Sequence, residues 1–105
     1  RERWPAFVNI IQFPAVKGGK DKESREWFDW SNEVYSNFEG YLEAAAGIEK
    51  GAYVGLVEHE SEETFMAMHL SEEGQRAWYK AAPLIDGSPK PSFYEVIEGI
   101  YVRNE

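Results

Sequence analysis

The chain contains no cysteine. Disulfides and thiolate metal sites are therefore excluded, and the hydrophobic core has to stabilise the fold without covalent cross-links. The same absence leaves the redox compartment open, so a cytoplasmic location is only the default expectation. With 105 residues, the chain can bury roughly 65% of its unfolded surface, which is enough for one domain spanning residues 1–105.

Long apolar runs and concentrated positive charge are also missing. No run reaches the ~18 apolar residues of a membrane helix, and no signal peptide is visible. Only 11 Lys and Arg stand against 19 Asp and Glu, which gives a net charge of −8. Nucleic acid and anionic membranes bind a concentrated positive face, so neither is an expected partner. Because the first residue is Arg1 and not methionine, we expect a few residues to precede it in the full protein.

Motifs for nucleotide and metal binding are scarce as well. The sequence has no Gly-x-Ser-x-Gly elbow and no glycine-rich phosphate loop. Its two histidines, His59 and His69, do not have the i, i+4 spacing of a helical metal-binding pair. We therefore predict neither a metal site nor a cofactor.

Aromatic side chains, by contrast, are abundant: four Trp, six Tyr and six Phe. Large rings fill hydrophobic cores, but they also line ligand cavities and self-association surfaces. Composition alone leaves these interpretations open.

Runs of β-branched and aromatic residues predict four strands, and apolar alternation sets their faces. The first strand places Phe7 and Asn9 on one face and Val8 and Ile10 on the other, and both faces are mainly apolar. The predicted strands are Phe7–Val16, Tyr41–Ile48, Ala52–Glu60 and Ser92–Val102.

Apolar spacing of three and four residues predicts two helical regions between these strands. The first helix is expected over Asp21–Phe38, with Asp21 as its cap and Gly40 as its stop signal. The second region is expected in two pieces, which Ser61 and Ser71 cap.

The resulting order, β-α-β-β-α-β, predicts an α+β ferredoxin-like fold: an antiparallel four-stranded sheet with the helices on one face. The helices leave the other face of the sheet bare, although that face is also apolar. A monomer rarely exposes an apolar patch of more than a few hundred Å². We therefore expect a homodimer joined through the sheet face. The residues expected in its interface are Val8, Ile10, Val54 and Leu56.

Four stretches of the sequence carry a resemblance to a known family. They are Phe7–Phe13 with its central Asn, residues 38–42 at the turn from helix to strand, Tyr53–Phe65 with its Ser-Glu-Glu-Thr-Phe helix start, and Phe93–Ile97. Together they span most of the chain and resemble the antibiotic biosynthesis monooxygenase-like (ABM) domains of the dimeric α/β-barrel superfamily. The resemblance implies the fold more specifically than it implies a reaction.

The resemblance implies one of two chemistries. The haem-degrading branch has an Asn on the first strand, a Trp in the second helical region and a haem-binding His ten residues after that Trp. Here Asn9 matches, but Met68 takes the place of the Trp, and Trp78 or Tyr79 stands where the His is expected. The resemblance therefore favours the branch that oxidises quinols or polycyclic aromatics without a cofactor. In that branch the deprotonated substrate passes an electron to O₂, and the protein supplies a base, a donor for the anion and a dry cavity.

Candidate site residues follow from this resemblance, each with a structural alternative. Asn9 is a candidate hydrogen-bonding partner for a substrate oxygen, or else a buried structural amide. His59 and His69 are candidate bases, or else a strand-end residue and a helix-end residue. The candidate walls of a binding site, which are also candidate core residues, are Trp27, Trp30, Met68, Trp78 and Tyr79.

Three functions stay open at this point. The chain could be a cofactor-independent monooxygenase, a non-enzymatic small-ligand-binding or stress-response domain, or a pure dimerisation domain, because fold does not fix function. The alanines at Ala44–Ala46 leave room above the second strand, where a bulky ligand could pack. Convergence of Asn9, His69 and Tyr79 on one cavity would favour the enzyme.

Overall fold

The computed structural model describes residues 4–49, 52–97 and 100–104. In chain order, the elements are β1 (Phe7–Gln12), α1 (Asp21–Ser36), β2 (Tyr41–Glu49), β3 (Ala52–His59), α2 (Glu62–Leu70), α3 (Glu72–Tyr79), a 3₁₀ turn (Ala82–Leu84), β4 (Lys90–Ile97) and β5 (Ile100–Asn104). The strands form one antiparallel sheet in the order β2-β3-β1-β4-β5. The predicted α+β ferredoxin-like arrangement is thereby confirmed.

Strand β1 lies at the centre of the sheet. Its Asn9 is opposite Val57 of β3 on one side and opposite Phe93 of β4 on the other. Alternation along the strands directs the odd-numbered residues of β1 and β3 towards the helices. The core between sheet and helices consists of two clusters, whose buried members are Ile11, Phe13, Trp27, Tyr53, Ala81 and Ile85 in the first and Phe7, Val57, Phe65 and Met68 in the second.

Serine caps start both pieces of the second helical region, as predicted. The Ser61 hydroxyl accepts a hydrogen bond from the Thr64 amide at 3.0 Å, and the Ser71 hydroxyl accepts one from the Gly74 amide at 3.0 Å. A Cβ atom on Gly74 would lie 2.1 Å from the Met68 carbonyl oxygen. Glycine at this position therefore lets α3 begin directly after α2.

The first helix departs from the prediction at both ends. Its N-cap is Lys20, which makes no side-chain cap bond, so the prediction that Asp21 caps the helix is wrong. Asp21 is instead the first helical residue, and its carboxylate accepts a hydrogen bond from the Tyr53 hydroxyl at 2.7 Å. The helix ends at Ser36, two residues before the predicted end, and Gly40 lies in the turn that follows.

Two of the predicted strands are longer than the strands in the structure. Strand β1 ends at Gln12, because the nearby Pro14 has no amide hydrogen to continue the ladder. The single strand expected over Ser92–Val102 is two strands, β4 and β5, which pair antiparallel with Val96 opposite Tyr101. β-forming residues run from Ser92 to Val102 with no Pro and no Asn-Gly turn signal between them, so the sequence did not reveal the reversal; Glu98 and Gly99 lie outside the described residues.

The face of the sheet opposite the helices carries the apolar residues that were predicted for it. Ile10, Val54 and Leu56 are half-buried, whereas Val8 is fully buried within one chain. Val8 therefore leaves no surface for a second copy to cover, and its predicted place in a dimer interface is wrong. Ile10 lies opposite Leu56 in the β1–β3 pairing, so these two side chains form the centre of an apolar strip. Among the described helices, none is long and apolar enough to cross a membrane.

Candidate functional site

A cavity of about 330 Å³ lies between α1 and the helix-facing side of β2 and β3. Small-molecule sites are typically clefts of roughly 300–1,000 Å³, so this volume suits a compact ligand. The cavity is lined by Ile11 and Phe13 of β1 and its extension; Trp27, Phe28, Asp29, Ser31, Asn32 and Tyr35 of α1; Ala44, Ala45 and Ala46 of β2; Gly55, Leu56 and Val57 of β3; and Trp78 of α3.

Aromatic rings form the inner wall of the cavity. The Trp27 indole nitrogen donates to the Ala77 carbonyl at 2.9 Å, which fixes the ring between α1 and α3. Phe13 meets Trp27 and Phe28 edge-on, with centroid distances of 5.8 Å and 5.2 Å. Such contacts hold the rings at fixed angles, so the wall is a rigid surface.

Small residues form the floor. Ala44–Ala46 of β2 line the cavity, which confirms the expected room above that strand. A Cβ atom on Gly55 of β3 would lie 3.4 Å from the Phe13 ring. Glycine at this position therefore leaves space between the strand and the ring. The result is a gap between rings and a nearly flat backbone surface.

The polar edge of the cavity comes from α1. Asp29, Asn32 and Tyr35 recur every three residues and therefore share one side of the helix. The Tyr41 hydroxyl donates to Asn32 Oδ1. Burial raises the pKa of Tyr35 to about 12, so its hydroxyl keeps its proton at neutral pH. These residues were not predicted as site residues. Asn32 and Tyr35 lie four and seven residues after Phe28, however, and this spacing indicates a shared side of the helix.

The predicted wall residues divide between the cavity, the core and the surface. Trp27 and Trp78 line the cavity. Met68 is buried in the second core cluster, beside Phe65. Trp30 and Tyr79 are exposed and do not line the cavity; the Lys80 ammonium lies 4.5 Å from the centre of the Trp30 ring.

Asn9 and His59 lie behind the inner wall. They occupy the helix-facing side of β1 and β3, one position beyond the cavity residues Ile11 and Val57 on the same face. Both side chains are buried, and within the described part of the chain Asn9 Oδ1 and His59 Nε2 have no hydrogen-bond partner. Buried polar atoms are almost always satisfied, so water or a ligand is the expected partner here.

The His59 ring is held by its other nitrogen. His59 Nδ1 lies 3.0 Å from Thr64 Oγ1, and the Tyr41 ring packs edge-on against the imidazole. Burial lowers the pKa of His59 to about 4, against a smaller raising effect of Glu60. The imidazole is therefore neutral at physiological pH.

His69 contacts the cavity wall from outside. Its ring stacks on Phe65 at 5.7 Å and meets Trp78 edge-on at 6.1 Å. Burial lowers the pKa of His69, so this imidazole also favours its neutral form. Asn9, His69 and Tyr79 thus do not converge on the cavity itself. Among the described residues, no group of three or more His, Asp or Glu is arranged to hold a metal.

Comparison with known proteins gives a likeness in structure only. No family model matches the chain, and no curated protein matches it in sequence. Solved structures match over nearly its whole length. A candidate antibiotic biosynthesis monooxygenase from Deinococcus radiodurans superposes with a TM-score of 0.78 at 12% identity, covering 90% of this chain and 95% of that chain.

Two further structures show the same likeness. A candidate antibiotic biosynthesis monooxygenase from Caulobacter crescentus gives a TM-score of 0.73 at 19% identity, covering 90% of this chain and 93% of that one. SnoaB from Streptomyces nogalater, a cofactor-independent oxygenase, gives a TM-score of 0.70 at 14% identity, covering 88% of this chain and 91% of that one. The chain therefore has the fold of the antibiotic biosynthesis monooxygenase-like proteins, and the resemblance predicted from its sequence is confirmed at the level of fold.

Proposed function

We propose that the domain is a small cofactor-independent monooxygenase that binds a flat quinol or polycyclic aromatic molecule between α1 and the sheet. The observation that carries the proposal is the shape of the cavity. The rings of Trp27, Phe28 and Trp78 face a floor of alanine and glycine, and a gap of that form suits a fused-ring molecule. The fold shared with SnoaB supports the reaction class.

In this proposal the substrate supplies the electrons. An anthrone, for example, loses a proton from its CH₂ carbon, and the resulting anion gives one electron to O₂. The two radicals then join through a new C–O bond, and the resulting peroxide anion takes the substrate proton back from the base. Loss of water from this hydroperoxide leaves the anthraquinone. One oxygen atom enters the product and the other leaves as water with two substrate hydrogens. The protein's contribution is a dry cavity, a proton acceptor and donors for the anion.

We propose roles for three polar residues that lie beyond the cavity wall. Asn9 hydrogen-bonds a water that contacts a substrate oxygen, and neutral His59 or His69 accepts the substrate proton through a water. None of the three lines the cavity directly, so each acts through an ordered water. The unpartnered Asn9 Oδ1 and His59 Nε2 are suitable partners for such a water.

The test is oxygen uptake by metal-stripped protein with a panel of hydroquinones and anthrones. We expect uptake above the protein-free rate for at least one compound, and loss of that uptake in Gly55→Val, whose side chain would occupy the cavity floor next to Phe13. Gly47→Val is the matched control, because it is also a strand glycine but has nothing within 4 Å of its Cβ position.

Uptake at the protein-free rate, together with no thermal shift from any aromatic compound, would contradict both catalysis and ligand binding. Binding without uptake would select the non-enzymatic ligand-binding alternative, which the position of His59 and His69 outside the cavity lining favours.

We also propose that two copies associate through the sheet face opposite the helices. Ile10, Val54 and Leu56 are only half-buried within one chain, and all three are apolar. A second copy related by a two-fold axis would cover them with the same strip of its own. If the cavity binds nothing, this association is the function that remains.

A further inference from the structure

The mouth of the cavity contains an amide whose orientation is fixed by a neighbour. Asn32 is exposed on the cavity side of α1, and its Oδ1 accepts a hydrogen bond from the Tyr41 hydroxyl of β2. Burial and the nearby Glu43 raise the pKa of Tyr41, so the hydroxyl keeps the proton that it donates. Because Oδ1 is engaged, the Asn32 amide presents its NH₂ group elsewhere, and no described residue accepts from it.

A second donor lies one helical turn further along the same edge. Tyr35 is half-buried and lines the cavity, and its high pKa keeps the hydroxyl protonated. The Asp29 carboxylate stands one turn before Asn32 on the same edge and adds a negative charge to that of Glu43. The edge therefore offers two neutral donors next to a negative charge, a combination that attracts an uncharged acceptor and repels a carboxylate.

We propose that this edge of α1 recognises the ligand by an acceptor oxygen, a carbonyl or quinol oxygen, which the Asn32 Nδ2 and Tyr35 hydroxyl groups bind. Tyr41 is a positioning residue, since its hydrogen bond to Asn32 Oδ1 leaves the Nδ2 group as the donor available to the ligand. The ligand is thus a flat ring system with an uncharged oxygen at the edge nearest α1. For a quinol with two oxygens on opposite sides, this assignment leaves the other oxygen facing the inner wall.

This inference rests on the proposed binding of an aromatic molecule in the cavity, but it does not require catalysis. It is tested by calorimetric titration with 1,4-naphthoquinone and with naphthalene, which share a ring system and differ in the acceptor oxygens. Since one neutral hydrogen bond contributes a modest free energy, we expect naphthoquinone to bind about three- to tenfold more tightly than naphthalene, and 1-naphthoate to bind more weakly than either.

Three variants assign the preference to named atoms. Asn32→Asp replaces the donor with an acceptor and should abolish the preference for naphthoquinone while leaving the naphthalene affinity unchanged. Tyr41→Phe releases the amide and should reduce the preference about two- to fivefold, again with naphthalene unchanged. Asn37→Asp is the matched control, because it makes the same exchange at the end of α1, outside the cavity lining.

The outcomes separate this inference from the proposed function. Equal affinities for the two compounds, with both lost in Gly55→Val, would overturn the recognition edge and leave the cavity as a binding site. Equal loss of both affinities in Tyr41→Phe would show a structural role for Tyr41 and overturn its assignment as a positioning residue. Binding of neither compound would overturn the cavity assignment and this inference with it.

Discussion

At the scale of single residues, His59 links burial to the pH dependence of stability. The pKa of His59 is about 4 in the folded chain, whereas in the unfolded chain the imidazole has its ordinary pKa of 6.5. Between these values the unfolded chain binds the extra proton, so stability should fall as pH is lowered from about 6.5 to about 4. The loss should be at most about 3 kcal/mol.

Chemical denaturation of the wild-type chain and of His59→Gln across this pH window measures the effect. The variant should have a shallower dependence on pH, although not a flat one, because the pKa of His69 is lowered in the same direction. Superimposable pH profiles would show that His59 is not the buried neutral group described here.

Gly40 is a second residue with a definite cost of replacement. Its φ of +83° is unfavourable for other residues, and an added Cβ would lie 2.4 Å from the Thr64 Cβ. Thr64 in turn contacts His59 and Ser61, so a shift would disturb both. We expect Gly40→Ala to lower the free energy of unfolding by about 3 kcal/mol.

Gly19→Ala is the matched control for this prediction. Gly19 has a similar φ of +79° but nothing within 4 Å of its Cβ position. Its replacement should therefore lower the free energy of unfolding by about 1 kcal/mol, which is the cost of the positive φ alone. Equal losses in denaturant titrations of the two variants would rule out the Thr64 contact as the cause.

Individual residues also show where sequence reasoning succeeded. The helical spacing of Trp27 placed it on the sheet-facing side of α1, and it does line the cavity. The same spacing also predicted Trp30 as a core or wall residue, but Trp30 is exposed. Trp30 lies at the edge of the apolar stripe of α1, where the packing of a neighbouring helix, and not the spacing, determines whether a side chain is buried. Asn32 was not predicted as a site residue because its proposed role depends on a hydrogen bond from Tyr41. Tyr41 lies nine residues further along the chain, beyond the turn from α1 to β2.

At the scale of elements, the start of α2 depends on one side chain. The Ser61 hydroxyl accepts from the Thr64 amide, and the Thr64 hydroxyl accepts from the Ser61 amide at 3.3 Å, which completes a capping box. We expect Ser61→Ala to cost about 1 kcal/mol of stability in thermal or chemical unfolding. Ser36→Ala, at the exposed last residue of α1, should stay within about 0.5 kcal/mol of wild type. Equal effects would argue against the cap.

Element types were predictable from local pattern, whereas some boundaries were not. Ser61 and Ser71 cap their helices through bonds within three residues, so the sequence contains the whole signal. Asp21 was assigned as a cap on residue type alone, but its carboxylate is engaged by Tyr53 on another element. The split of the last strand into β4 and β5 was not predicted because β-forming residues run from Ser92 to Val102 with no Pro and no Asn-Gly turn signal between them.

At the scale of the whole molecule, the proposed dimer makes a clear prediction. Ile10→Asp or Leu56→Asp would place a charge in the centre of the apolar strip on the sheet face, so we expect monomers or unfolding. Sedimentation at micromolar concentration, with circular dichroism to monitor folding, distinguishes the two. Ala67→Asp is the control, because Ala67 is an exposed apolar residue of α2, on the helix side of the sheet and away from the proposed interface. A wild-type chain that sediments as a folded monomer would contradict the dimer.

The central claim is that the cavity between α1 and the sheet is the site of an aromatic ligand. The most direct measurement is a crystal structure of the chain with 2-bromoanthraquinone, in which anomalous scattering locates the bromine. We predict one bromine peak inside the cavity, with the rings between Trp78 and Ala44–Ala46 and a carbonyl oxygen within hydrogen-bonding distance of Asn32. A bromine peak only at the sheet face or beside the exposed Trp30 would contradict the claim.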